Sequence, residues 1–159
     1  MTKAKNNSVE SGLREFLQGN LASLAAEGFS NRVCVEICVD GESFYLEREK
    51  NKNQCNKESE NEPDITFWVP EKTLRQILEK EKLPGTGLGA MGIMIFDSIL
   101  SKDEKRKIKF KVRASILGLW TKGYFSVLKA GGPEVTAYLA KMGLGGITQM
   151  KEMLKKIRG

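Results

Sequence analysis

The chain has 159 residues, of which 40% are hydrophobic, so it can build one domain with a packed core. Bulk disorder and a small disulfide-stapled fold are excluded. Histidine is absent, which excludes histidine triads, histidine metal ligands and histidine acid–base catalysis. The formal charge of +6 is uneven, because residues 1–100 carry 12 basic and 16 acidic groups and residues 101–159 carry 14 and 4. This asymmetry is typical either of a protein with an anionic partner, a nucleic acid or a membrane surface, or of a solvated sheet face whose lysines prevent edge-to-edge association.

The first third of the chain predicts a helix followed by a hairpin. Residues 1–7 are polar and predict a flexible tail, and a helix capped by Ser8 is expected to run to about Glu27. Apolar and polar residues then alternate on both sides of Asp40-Gly41, a turn dipeptide typical of two-residue β-hairpins. Residues 50–62 are almost entirely polar and predict a mobile loop.

The middle of the chain predicts a third strand, two helices and a basic strand. Residues 64–69 (DITFWV) form the strand, and a helix with Leu74, Ile77 and Leu78 on its buried stripe follows Pro70. Residues 91–100 are nearly all apolar and predict a second helix. In the run 106–113, Ile108, Phe110 and Val112 alternate with Lys107, Lys109, Lys111 and Arg113, which predicts a strand with one apolar and one basic face.

The last third predicts only helices. Residues 114–130 are largely apolar, a further helix follows Pro133, and residues 147–159 predict a C-terminal amphipathic helix. The whole order predicts an α+β domain over residues 8–146. Its sheet is expected to be mainly antiparallel, with about five strands covered by helices on one face.

Two short motifs invite a cofactor or metal interpretation that their context does not favour. Gly87 to Gly92 match the G-x-G-x-x-G pattern, but a predicted helix precedes them where a dinucleotide site needs a strand. We expect them to be a flexible hinge before the apolar helix. Cys34 and Cys38 lie roughly 13 Å apart on a strand, too far for a shared ion or a disulfide. Neither a cofactor nor a metal site is predicted.

The two apolar segments, 91–100 and 115–128, carry more apolar surface than a surface helix needs. Either they are fully buried, or part of their surface lines a cavity or contacts lipid. On the second interpretation, a lipid cavity would form where the third strand, the helix after Pro70, the apolar helix, the basic strand and the following helix converge. The expected lining residues are Phe67, Leu74, Ile77, Leu78, Met91, Met94, Ile95, Phe110, Trp120, Phe125 and Leu128.

Residues 64–78 (DITFWVPEKTLRQIL), the strand 107–112 (KIKFKV) and the helices after it resemble the sterol carrier protein-2 family of small lipid-binding domains. The resemblance spans roughly residues 8–143. It implies a five-stranded sheet with helices over one face and an apolar tunnel for fatty acyl chains or sterols. It also implies a binding and transfer function without catalysis. The family's peroxisomal C-terminal tripeptide is missing, since the chain ends with Lys156-Ile157-Arg158-Gly159.

The expected partners are therefore a hydrophobic small molecule (a fatty acid, a phospholipid or a sterol-like lipid) and the surface of an anionic membrane. Lys107, Lys109, Lys111 and Arg113 are the expected contacts to that surface or to a lipid headgroup. No apolar run approaches the roughly 18 residues of a membrane span. Because the three cysteines are odd in number and no signal peptide is visible, we expect a cytoplasmic protein.

Two alternatives compete with lipid binding. The basic strand could instead serve a nucleic-acid-binding or protein-adaptor module, although no RNA-binding aromatic signature accompanies it and nucleic acid is the less expected partner. An enzyme is the third alternative. The only acid inside an apolar stretch is Asp97, whose expected place is the surface of a helix, so no catalytic residue is predicted.

Overall fold

The computed structural model describes residues 2–130 and 132–143, with side chains described for 9–127, 130 and 132–143. It is an α+β fold around one five-stranded mixed sheet with strand order β3-β2-β1-β4-β5. Every neighbouring pair is antiparallel except β1 and β4, so the prediction of a mainly antiparallel five-stranded sheet is confirmed. The strands are β1 (Cys34–Val39), β2 (Glu42–Glu49), β3 (Lys52–Asn56), β4 (Ile65–Trp68) and β5 (Lys109–Val112).

The helices flank the sheet in sequence, two before it, two between β4 and β5, and the others after β5. The predicted C-terminal helix over 147–159 lies outside the described residues. The described helices are α1 (Thr2–Leu17), α2 (Asn20–Ala25), α3 (Glu71–Lys82), α4 (Leu88–Ile99), α5 (Ile116–Lys122), α6 (Ser126–Ala130) and α7 (Gly132–Lys141).

Two predicted long helices are each broken at a glycine. The N-terminal segment is already helical from Thr2, where a tail was expected, and it ends at Leu17 rather than near Glu27. Gly19 caps α2 in an extended conformation, so the chain turns between α1 and α2. Gly123, at φ +90°, separates α5 from α6, and a Cβ there would lie 1.9 Å from the carbonyl oxygen of Gly28. Only glycine allows this approach of two backbones.

The predicted mobile loop over 50–62 is wrong for its first half, because residues 52–56 form the edge strand β3. Lys50 and Asn51 adopt φ values of 54° and 64° and close a second two-residue hairpin. Asp40 and Gly41, at 49° and 83°, close the first hairpin in the same way. The turn lacks glycine and the strand is polar, so neither usual signal for a hairpin is present.

The two faces of the sheet differ sharply. The face that we call the covered face carries Val35, Phe44, Leu46 and Cys55, and its hydrophobic core includes residues of α1, α3 and α4. The opposite face, which we call the open face, carries polar and charged residues of all five strands, among them Glu36, Tyr45, Gln54, Thr66 and Lys109. The predicted arrangement of helices over one face is thus confirmed.

Candidate lipid-binding site

Helix α4 is the most apolar element next to the covered face. Its sequence LGAMGIMIFDSI contains one charged residue, Asp97, which is exposed. Met91 is its only fully buried residue, and Met94, Ile95 and Ile99 pack on the core while remaining partly accessible. Since most of this apolar helix is only half-buried, its surface exceeds what the core covers.

Glycines in α4 let helix α7 approach closely. A Cβ at Gly92 would lie 2.8 Å from Cγ2 of Val135, and a Cβ at Gly89 would lie 2.6 Å from a carboxylate oxygen of Glu134. These two glycines of the G-x-G-x-x-G pattern therefore pack one helix against another, whereas a hinge was expected. The pattern follows α3 and not a strand, so the geometry of a dinucleotide site is missing.

Most of the predicted lining residues meet in two adjacent clusters. Phe110 and Phe125 pack around Val112 and Leu119 in the smaller cluster. The rings of Phe67 and Phe110 lie 5.9 Å apart and join the two clusters. A cavity between them stays a prediction. The larger cluster contains seven of the predicted residues, namely Phe67, Leu74, Ile77, Leu78, Met91, Met94 and Ile95.

Trp120 is placed differently from the other predicted lining residues. It is 51% exposed on α5 and packs against Phe125, with ring centroids 5.5 Å apart. Leu117, one turn earlier on the same helix, is 72% exposed, while Leu119 faces inward. Helix α5 thus presents an apolar outer face. The side chain of Leu128 lies outside the described residues.

The predicted basic residues lie on the open face of β5 and just beyond the strand. Ile108 and Val112 are buried while Lys109 and Lys111 are exposed, as the alternation predicts. Lys109 forms an exposed ion pair with Glu104 at 3.1 Å, which contributes little in water. The guanidinium Nε of Arg113 donates a hydrogen bond to the hydroxyl of Thr66 at 2.8 Å, which orients this side chain along the open face.

An exposed tryptophan accompanies these cations. Trp68 is 41% exposed and is the cross-strand partner of Lys109. Next to it, Thr66 donates to Glu36 at 3.0 Å, and the hydroxyl of Tyr45 donates to the other oxygen of the same carboxylate at 3.1 Å. The open face therefore has a basic, aromatic side at β4 and β5.

A buried polar cluster around Asp64 was not predicted from the sequence. Its carboxylate accepts hydrogen bonds from the Lys122 ammonium at 2.7 Å, the Tyr124 hydroxyl at 2.6 Å and the Cys34 amide at 3.1 Å. Lys122 and Tyr124 come some 60 residues later, so only the fold brings them together. The available signal was an acidic residue directly before an apolar strand.

The Asp64 cluster has a structural role, because its hydrogen bonds connect separate segments of the fold. Burial, and then the hydrogen bond to Asp64 and its charge, raise the pKa of Tyr124 far above its ordinary value, so the phenol stays a donor at neutral pH. The cluster joins the start of β1, the residue before β4 and the turn after α5. Burial likewise raises the pKa of the Cys34 thiol, which lowers its reactivity.

No protein-family model matches the chain, and no curated protein matches it. A solved structure titled "UbiJ-SCP2 Ubiquinone synthesis protein" is similar, at 13% sequence identity and a TM-score of 0.44. The match covers 82% of this chain and 97% of that one. At this similarity the match assigns neither a ligand nor a site residue. Among the described helices, none is long and apolar enough to cross a bilayer.

Proposed function

We propose that this chain is a non-enzymatic lipid-binding and transfer module that holds an acyl or sterol-like ligand between the covered face and α4. The observation that carries the proposal is α4 itself. A helix with one charged residue in twelve keeps only Met91 fully buried, so it retains apolar surface for a ligand. Each methylene that a bound chain removes from water contributes about 0.8 kcal/mol.

The lining of the proposed site is adaptable. Met91 and Met94 are unbranched and flexible, and such side chains adjust to ligands of irregular shape. Phe67 and Phe110 supply the opposite, sheet-borne wall. We expect the ligand to displace α4 from these rings and to leave the sheet intact, because moving a helix costs less free energy than separating hydrogen-bonded strands.

The basic residues of β5 would bring the protein to an anionic membrane. Lys107, Lys109, Lys111 and Arg113 each add up to about 1 kcal/mol near a charged bilayer. The exposed Leu117 and Trp120 on α5 are of the residue types that insert at the headgroup level. Together they would let the ligand pass to and from the membrane.

Native mass spectrometry tests the ligand directly. The purified protein is measured before and after extraction with organic solvent, and the released material is analysed for lipids. We expect a mass above that of the chain, lost on extraction and recovered as fatty acid, phospholipid or a sterol-like lipid. A protein that is empty before extraction and takes up no lipid from vesicles contradicts the proposal.

Met94→Trp tests the place of the ligand, with Met94→Leu as the control of similar volume. If the site is hollow, the indole enters it, so uptake of a fluorescent fatty acid falls while unfolding stays cooperative. If the segment is solid, the same change overpacks it and costs about 1–3 kcal/mol. Loss of stability without any effect on fatty-acid uptake would show that the ligand does not bind beside α4.

Reversal of Lys107, Lys109 and Lys111 to glutamate tests the membrane contact. Binding to vesicles with anionic lipid should fall while uptake of the fluorescent fatty acid persists. The matched control reverses Lys50, Lys72 and Lys102, which gives the same net charge elsewhere. Equal loss from both triple variants would mean that net charge alone drives association.

A second candidate function rests on Trp68. An exposed aromatic ring beside Lys109 and Lys111 on an open sheet face is the arrangement on which single-stranded nucleic acids stack. Oligonucleotide binding that is steeply salt-dependent and is lost in Trp68→Ala would favour this function. Trp120→Ala, on the other exposed tryptophan, is the control and should leave oligonucleotide binding unchanged.

A further inference from the structure

A polar cleft opens at the edge of the sheet, away from the apolar layer. It lies where the end of α1, helix α2 and strand β3 meet, and it has a volume of about 420 Å³. This size suits a small ligand. Two of its lining residues are basic, and no acidic residue is among those described as lining it. The lining residues are Gln18, Ser23, Arg48, Asn51, Lys52, Asn53 and Gln54.

Arg48 gives the cleft a buried positive charge. The side chain is on the covered face, 8% exposed, and no carboxylate in the described part of the chain pairs with it. Its Nη1 donates to the carbonyl of Ala26 and its Nη2 to the carbonyl of Asn51. These neutral acceptors orient the guanidinium without cancelling its charge. A buried charge without a counter-ion is costly, and an anion in the cleft would reduce that cost.

The polar groups behind the cleft are also incompletely satisfied. Asn53 is the cross-strand partner of Arg48 and is 6% exposed. Its amide nitrogen donates to the carbonyl of Leu17 at 2.8 Å, which fixes the orientation of the amide. The remaining groups, Nε of Arg48 and Oδ1 of Asn53, are shielded from solvent and have no partner. The unpartnered Nε is a donor that an anion can satisfy, whereas Oδ1 is an acceptor and does not bind a phosphate oxygen.

The rim of the cleft supplies further donors. The side chains of Gln18, Ser23 and Asn51 make no hydrogen bond or ion pair with other described residues, so they are available to a ligand. They come from three elements that approach the cleft from different directions. A tetrahedral group with several oxygens can accept from all three, whereas a planar carboxylate has only two oxygens.

We propose that this cleft binds a phosphate group, either as free phosphate or as the phosphomonoester end of a larger molecule. The charge of Arg48 stabilises the bound anion, the rim donors Gln18, Ser23 and Asn51 hold its oxygens, and Lys52 on the edge strand adds positive charge nearby. The site is separate from the apolar layer and does not rest on the proposed lipid function.

The test titrates the full chain with inorganic phosphate at constant ionic strength and follows backbone amide NMR shifts. We expect saturable shifts centred on residues 18, 23 and 48–54, and weaker binding of acetate. Saturation centred on β5 instead, no saturation at all, or equal affinity for acetate overturns the proposal.

Ser23 offers an isosteric pair of variants. Ser23→Asp places a negative charge in the cleft and should weaken phosphate binding about tenfold, while Ser23→Asn should stay within about twofold of the parent. Lys52→Gln should weaken binding about two- to fivefold, and Lys50→Gln, outside the lining, should not. Equal affinities within each pair overturn the site. Arg48 is kept intact because its hydrogen bonds hold α2 and the β2–β3 turn.

Vesicles distinguish the two sources of the phosphate. Vesicles that contain phosphatidic acid present a phosphomonoester headgroup, and phosphatidylcholine vesicles do not. Weaker binding of Ser23→Asp than of Ser23→Asn to the phosphatidic acid vesicles assigns the site to a lipid headgroup. Equal vesicle binding by both variants, together with their different affinities for free phosphate, assigns it to a soluble phosphate compound.

Discussion

The same strands build both faces of the sheet, but apolar burial stabilises one face and hydrogen bonds between polar side chains stabilise the other. On the covered face, Phe44 is 0% exposed, and Leu46 on the same strand and Val35 on the neighbouring strand are also buried, so stability there comes from burial. On the open face, Tyr45 and Glu36 are held by a hydrogen bond to each other and remain partly exposed. Adjacent residues of one strand, whose side chains lie on opposite faces, therefore contribute very different amounts to the free energy of unfolding. Stability and the proposed membrane contact, which lies on the open face, can accordingly be altered separately.

The largest expected difference between the faces comes from Phe44→Ala and Tyr45→Ala. Phe44 lies fully inside the core, so its truncation should lower the free energy of unfolding by about 3–5 kcal/mol. Tyr45→Ala loses one hydrogen bond and half-buried area, for about 1 kcal/mol. Urea unfolding of both variants measures the contrast. Comparable losses would show that the open face is buried in solution.

A second contrast sets the Asp64 cluster against the Glu36 network. Asp64→Asn leaves Lys122 without its counter-ion in a largely buried site and should cost about 2–3 kcal/mol. Glu36→Gln, in the half-buried open face, should cost about 1 kcal/mol. Thermal unfolding, together with the double variant Asp64→Asn/Lys122→Met, measures the coupling. Additive losses in the double variant would mean that the two charges do not stabilise each other.

The same chemical change can be made on each face at a cysteine. Cys55→Ser puts a hydroxyl into the core under α1 and should cost about 1–2 kcal/mol. Cys38→Ser, half-buried on the open face beside Ser43, should stay within about 0.5 kcal/mol. Denaturant midpoints give the comparison. A Cys55→Ser variant with an unchanged free energy of unfolding would show that residues 52–56 form the mobile loop that the sequence predicts.

The smallest expected effect is on alkaline stability. Because burial raises the pKa of Tyr124 above its ordinary value of 10.0, the folded chain keeps the phenolic proton that the unfolded chain loses above about pH 10. Stability is therefore unaffected by this group below that pH and falls as the pH rises further. Tyrosinate absorbance should show Tyr124 ionising after the other tyrosines, because its pKa is raised the most, and Tyr124→Phe should flatten the alkaline loss of stability. Ionisation of Tyr124 alongside Tyr45 would contradict this.

The hairpins show where prediction from sequence succeeds and where it fails. Asp40-Gly41 between alternating residues predicts β1 and β2, because this dipeptide readily takes the positive φ values of the turn. Lys50-Asn51 forms the same turn against the preference of lysine. Contacts from elsewhere stabilise it, including the hydrogen bond from the Asn51 amide to Asn31 at 3.1 Å. Local propensity could not reveal a turn that tertiary contacts hold.

The sequence alone determined the α+β class, the first hairpin, and the inward and outward residues of β5, since these follow from local turn chemistry and from a period of two. It also determined that α4 is too apolar for an ordinary surface helix. Only the tertiary structure decided that β4 pairs in parallel with β1, that Trp120 is exposed, and that Asp64 meets Lys122 and Tyr124. Those outcomes depend on residues far apart in the chain, whose contacts gain energy only once the sheet and its helices have assembled.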